Sequence, residues 1–329
     1  MSKNAALFAL KLAVTAGLIY WFVLPGIDVD MVAERLDRLS PGFLVLAAAL
    51  IFLQNAIVVT WRWERVVAAI DRALPPWRLL RTTVITLFFN QVLPSTIGGD
   101  GMRVWLLRGL GRPIGIAFRS VLIDRLIGFF GLLLVGLAGS LYLMLRLQAP
   151  GPVWLVALTC LAGLVLIALA PPLVGVLQRL PFDRLRQVFE TLAREVRLLV
   201  RDRPRLAKLV AASIVGQLAL AGAVYCLARD LEVGVELLGV FAVVPGVMVA
   251  SSIPISIAGW GVREASMVVG LGLLGVAQGE AAIISIGFGL LVLGFGLLGG
   301  LVWLVRGSPQ PAGDEIAELD TAMHGGADG

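Results

Sequence analysis

The chain has 329 residues, of which 59% are hydrophobic and only 15% charged, where a soluble domain usually carries about 25% charge. That composition excludes an ordinary water-soluble domain and describes a chain whose solvent is largely lipid. The net charge of +5 comes almost entirely from arginines placed beside apolar runs, which favours anionic lipid headgroups over nucleic acid as the partner.

The first apolar run, residues 5–24, is about long enough to span a bilayer. Its segment "YWFVLPGI" lacks the small-residue cleavage pattern of a signal peptide, so it reads as a retained helix. Five further full spans are expected at 43–60, 117–145, 153–172, 207–228 and 281–304. Two other apolar stretches, 83–107 and 237–276, are broken in the middle by Pro and Gly. Trp61 and Trp63, just past the second span, read as interfacial anchors.

Arginine-rich linkers (61–82 and 173–206) alternate with arginine-poor ones (25–42, 146–152 and 229–236). With positive charge kept inside, both termini lie in the cytoplasm. This holds only if each broken stretch leaves the membrane on the side it entered, as a re-entrant hairpin. The expected fold is an all-α polytopic membrane protein: one domain over 1–306, with six full spans and two re-entrant helical hairpins. Residues 307–329 form an acidic, Gly-rich cytoplasmic tail expected to be disordered.

Within the most basic linker, Leu185, Val188, Phe189, Leu192, Val196, Leu199 and Val200 recur at helical spacing among arginines. The region 178–206 is therefore a basic amphipathic cytoplasmic helix. It lies flat on an anionic membrane surface or packs on the protein's own face.

The most informative feature is a duplication. Residues 94–103 read "PSTIGGDGMR" and residues 254–263 read "PISIAGWGVR". Pro94, Ile97, Gly99, Gly101 and Arg103 match Pro254, Ile257, Gly259, Gly261 and Arg263, and Thr96 pairs with Ser256. Three full spans separate the copies, so they run in opposite orientation, as in an inverted repeat whose broken helices meet near the midplane. Pro94 and Pro254 end one half-helix, the glycines let chain or ligand approach closely, and the next half-helix presents unpaired N–H groups. Arg103 and Arg263 are expected in its first turn. A helix N-terminus plus a guanidinium is an anion site, well matched to phosphate.

An arginine in mid-membrane costs at least about 2.5–3.5 kcal/mol, so something must offset it. Two roles stay open for Arg103 and Arg263: substrate contact, or ion pairs with Asp100, Asp124 and Glu264. Asp124–Arg125 is itself a charged pair early in a span. Asn55, Gln54, Asn90, Gln91 and Gln217 read as helix-packing hydrogen-bond residues.

Other signals carry less. Cys160 and Cys226 fall inside apolar runs and read as buried free thiols. The single histidine, His324, sits in the tail. No His-based metal site or Ser-His-Asp triad can be assembled, and neither cofactor nor catalysis is expected. "GLGLLG" (270–275) and "GFGLLG" (294–299) lack the strand-turn-helix setting of a dinucleotide site and read as packing glycines. The second leaves a homo-oligomer open.

The segments "NQVLPSTIGGDGMRVWLLR", "SVLIDRLIGFFGLLL" and "IPISIAGWGVREASMV" resemble the lysylphosphatidylglycerol synthase transmembrane family, also called flippase-like membrane proteins, over about residues 5–305. That family includes the membrane half of bifunctional proteins that make aminoacylated phosphatidylglycerol and move it between leaflets, and stand-alone members linked to envelope lipids. The resemblance implies lipid translocation, with residues 94–103, Asp124, Arg125 and residues 259–264 as the functional core. No soluble aminoacyl-transferase domain is visible in the sequence, so synthesis is not implied.

The leading expectation is a bacterial inner-membrane translocase for an anionic phospholipid or lipid-linked envelope intermediate. Its phosphate would be held between Arg103 and Arg263, with Asp100, Asp124, Arg125 and Glu264 as a charge network. The alternatives are a non-transporting scaffold of envelope biosynthesis, or an intramembrane lipid-phosphate enzyme with Asp100 as its nearest candidate. Trp260 stands where the first copy has Asp100, so the two halves are not equivalent.

Overall fold

The computed structural model describes residues 40–93, 96–147, 151–177, 183–253 and 259–307, together with Tyr20. The expected first span, the tail with His324, and Pro94, Pro254 and Ser256 lie outside the described residues.

Among the described residues ten helices follow in chain order: α1 (Pro41–Ile70), α2 (Pro76–Val92), α3 (Thr96–Gly109), α4 (Ile114–Leu147), α5 (Gly151–Leu177), α6 (Asp183–Arg201), α7 (Arg203–Asp230), α8 (Leu237–Ser251), α9 (Val262–Gly272) and α10 (Gln278–Arg306). Five of them are long and apolar enough to cross a bilayer: α1, α4, α5 over Gly151–Leu169, α7 and α10. These are the five expected spans within the described residues. Large apolar side chains cover the outside, among them Leu145, Leu166, Leu304 and Val305. Such a surface is unstable in water and at home in lipid.

Local sequence sets the ends. Pro41 and Pro76 stand in the first turns of α1 and α2, where the missing N–H has no intrahelical partner anyway. Asp202 caps α7, its carboxylate accepting from Arg205 N at 3.2 Å. The Ser40 amide donates to Asp230 Oδ1 at 2.7 Å, tying the start of α1 to the end of α7. α1 carries a π-helical turn at Leu53–Val58, and such turns concentrate at functional sites.

The two broken stretches are each a pair of helices packed on one another, α2 with α3 and α8 with α9. α10 packs against α2 and α9. Gly296, Gly299 and Gly300 of α10 face Gln91, Val84 and Phe88 of α2 so closely that a Cβ at any of them would collide. Gly139 of α4 meets Ala242 of α8 in the same way. Close approach through small residues is how helices associate in lipid. The main core gathers Ile51, Val224, Val244, Met267, Leu271, Ile284 and Phe288 from α1, α7, α8, α9 and α10.

Three expectations are corrected. The helix of the second span does not stop at residue 60: α1 runs on to Ile70, so Arg62 lies inside a helix and is buried rather than in an exposed linker. Trp63 is not an interfacial anchor but is fully buried, donating from Nε1 to Ser120 Oγ at 3.2 Å. Both follow from α1 turning its apolar stripe, with Val66 and Val67, onto α4 and its neighbours. Third, α3 begins at Thr96, so Gly99 and Gly101 are helical and Arg103 is in the second turn.

The amphipathic helix is α6, shorter than the expected 178–206. One of its faces packs on the protein itself. Leu192, Val196 and Leu199 pack with Val66, Ile123 and Leu209, and Glu195 pairs with Arg119 at 2.9 Å. Burial pushes the Glu195 carboxyl above its ordinary value, opposed by the neighbouring Arg119.

Candidate functional site

Arg103 extends from α3 into a closed cluster. Its Nη1 donates to Asp124 Oδ2 at 2.9 Å, and the other oxygen of that fully buried carboxylate accepts from Arg62 Nε at 2.7 Å. Arg62 Nη1 reaches Ser213 Oγ at 3.1 Å. The Arg103 guanidinium lies 4.1 Å from the centre of the Trp63 ring. Gly128 leaves the space for Arg62, since a Cβ there would come within 2.8 Å of its Nη2. Three helices, α1, α3 and α4, thereby meet at one carboxylate, and Ser213 ties in α7 through Arg62. Two guanidiniums sharing one buried carboxylate offset the desolvation that burial imposes on all three groups.

One turn away, Arg125 pairs with Asp100 at 2.7 Å. Both are more accessible than the Asp124 cluster. Arg62, Arg103 and Arg125 against Asp100 and Asp124 leave one positive charge in excess. Arg103 Nε and Nη2 are buried without a hydrogen-bond partner among the described residues.

The second copy is built differently. Gly259 and Gly261 adopt φ of 81° and 85°, a region that L side chains rarely enter. They turn the chain into α9. Glu264 reaches back to accept from the Gly261 amide at 2.6 Å and from Arg263 Nε at 2.9 Å. Arg263, in the first turn of α9 as expected, lies 4.6 Å from the centre of the Trp260 ring. Gly289 of α10 leaves room for both, since a Cβ there would collide with the guanidinium and the indole.

Between the two copies lies an open cavity of about 540 Å³. Asp100 and Arg125 line one side, Ser251, Ser252, Gly259 and Arg263 the other, and Asn55 and Gln217 complete its polar lining. Phe129, Met248 and Phe288 are among its apolar walls. Of the expected headgroup residues, Asp100, Gly259 and Arg263 thus reach the cavity, and so does Arg125 from the charge network. Arg103 and Asp124 stand behind it in the closed cluster. Glu264 positions Arg263. Gly99 is packed against Asn90 and Gly101 faces open space. Thr96 opens α3.

Sequence reasoning missed Arg62, Trp63 and Ser213 and set aside Asn55 and Gln217. One signal was present: Val58, Arg62 and Val66 are four residues apart, which puts Arg62 on an apolar stripe rather than in a linker.

Long apolar helices, an apolar exterior and buried charge around a polar cavity define a polytopic helical membrane protein. The family model described as "Lysylphosphatidylglycerol synthase TM region" matches residues 8–300, and the chain belongs to that family. It is also similar to a "UPF0104 membrane protein" of Methanothermobacter thermautotrophicus (strain Delta H), with 29% identity over 116 residues. That match covers 34% of this chain and 32% of the relative.

Proposed function

We propose that the protein is a translocase of the bacterial cytoplasmic membrane that moves an anionic phospholipid or a lipid-linked phosphate between leaflets, and that it is not an enzyme. The observation that carries this is the cavity between the two motif copies, with one guanidinium from each side, Arg125 and Arg263. Paired arginines in a low-dielectric pocket suit a phosphodiester, whose oxygens exchange with the carboxylates of Asp100 and Glu264. A neighbouring cavity of about 370 Å³, lined by Leu143, Val156, Val247 and Val269 among others, suits an acyl chain.

On this reading α2–α3 and α8–α9 are re-entrant hairpins of opposite orientation, and both termini face the cytoplasm. Access alternates as one hairpin rocks against the other. Arg103 takes the supporting role: with Asp124 and Arg62 it fixes the first hairpin and lends the excess positive charge.

The test is lipid movement in reconstituted vesicles. A reporter phosphatidylglycerol should cross faster than in empty vesicles, reporter phosphatidylcholine should not, and Arg125→Gln and Arg263→Gln should each slow it by tenfold or more, one charge-assisted contact being about 1.5–3 kcal/mol. Equal rates with and without protein for all anionic lipids would sink the proposal. One observation favours a non-transporting scaffold: Arg125 and Arg263 each already hold a carboxylate. A scaffold predicts that both variants fold and leave lipid movement unchanged.

A further inference from the structure

A third cavity, of about 440 Å³, lies where the C-terminal part of α1 meets the start of α7. It shares no lining residue with the central cavity. Trp61 and Arg65 of α1 face Asp202, Arg205 and Lys208 of α7 across it. We propose that this cavity binds the phosphate of an anionic lipid in the leaflet it faces, as a site separate from the translocated substrate.

Charge is the first argument. Three cations meet one acid, and that acid is engaged: Asp202 caps α7 and holds Arg205 at 3.4 Å. Arg65 holds Glu64 at 2.7 Å and lies over the Trp61 ring at 5.0 Å. Lys208 holds no carboxylate among the described residues. The N-cap and first turns of α7, a 28-residue helix, line the same space, and the positive helix end adds to the attraction for phosphate.

Position is the second argument. α1 and α7 are both long and apolar enough to cross a bilayer, and this junction brings together the charged ends of their apolar runs, the kind of place where indole side chains settle. Beyond it each helix carries an exposed apolar side chain: Ile57, eight residues before Arg65, and Val215, seven residues after Lys208, are 41% and 52% exposed. A lipid with its phosphate in the cavity lays its tails along Ile57 and Val215. A soluble phosphate would leave those surfaces uncovered.

The test is native mass spectrometry of the full chain in detergent, titrated with phosphatidylglycerol, phosphatidylcholine or inorganic phosphate. Phosphatidylglycerol should be retained in preference to phosphatidylcholine. Each cation near an anionic headgroup contributes about fivefold in affinity, so Arg205→Gln/Lys208→Gln should weaken that retention roughly 25-fold. The charge-preserving Arg205→Lys/Lys208→Arg should restore it, which separates lost charge from lost fold. Bound lipids are counted: Arg263→Gln should remove the lipid of the central cavity and leave the one that depends on Arg205 and Lys208, so failure here and failure of the translocase reading are distinguishable. An adduct unchanged in the double Gln variant overturns the proposal, as does equal retention of phosphatidylcholine. Displacement of the lipid by millimolar inorganic phosphate that itself remains bound overturns the lipid source and leaves a soluble phosphate site.

Discussion

The two copies of the duplicated motif share five residues in register, and the chain folds them differently. In the first copy the helix starts at Thr96, and its glycines lie within it. In the second, Gly259 and Gly261 form a left-handed turn before Val262. Each arginine nonetheless reaches the same kind of environment, a carboxylate and the face of an indole. Arg263 finds both beside it in sequence, at Glu264 and Trp260. Arg103 finds them on other helices, at Asp124 of α4 and Trp63 of α1. The duplicated arginine is the constant, and its counter-charge is supplied locally in one copy and by tertiary packing in the other.

The largest effect that separates the copies is removal of the carboxylate. Asp124→Ala strands Arg62 and Arg103 in a buried site and should destabilise by about 3–5 kcal/mol. Glu264→Ala strands one arginine, which borders the cavity, and should cost clearly less. Thermal unfolding of both variants in one detergent decides. An equal or larger loss for Glu264→Ala would break the distinction between tertiary and local supply.

A smaller and sharper test uses the glycines. Gly101 is helical with no atom near its missing Cβ, so Gly101→Ala should stabilise by about 0.5–1 kcal/mol. Gly261→Ala, at φ 85°, should destabilise by about 1–3 kcal/mol. Opposite signs at matched positions in chemical denaturation would sharpen the comparison, and the same sign would remove it.

The smallest effect concerns the outer pair of the first copy. Arg125 and Asp100 are partly exposed, and a double-mutant cycle through Asp100→Asn and Arg125→Gln should give a coupling of about 0.2–1 kcal/mol. A coupling of several times that would place this pair in the same buried network as Asp124.

Much of this architecture was legible in the sequence. Apolar runs long enough to span a bilayer gave the five spans found in the described residues, and proline and glycine in the middle of two others gave two helix pairs. Arg263 in the first turn of its helix followed from the glycines before it. The partner of Arg103 did not, because Asp124 is 21 residues away on another helix and competes with Asp100 and Glu264 until packing chooses. Arg62 and Trp63 were misplaced for a related reason. A charge and two tryptophans after an apolar run look like the edge of a membrane, and only tertiary contact with α4 shows that the helix continues buried. The copies also look more alike in sequence than they are in structure, since glycine fits a helix and a left-handed turn equally well.

The π-helical turn at Leu53–Val58 acts as a phase shift in a periodic array. It advances α1 by one residue relative to an uninterrupted helix, so everything beyond Val58 is rotated by about 100°. Before the turn, Ile51 is aligned with the main core. After it, Arg62 and Trp63 are aligned with Asp124 and Ser120. One helix thus serves two environments that a single α-helical phase could not satisfy together. Deleting one residue from 53–58 would leave α1 apolar and long enough to span, and would swing Arg62 off its carboxylate.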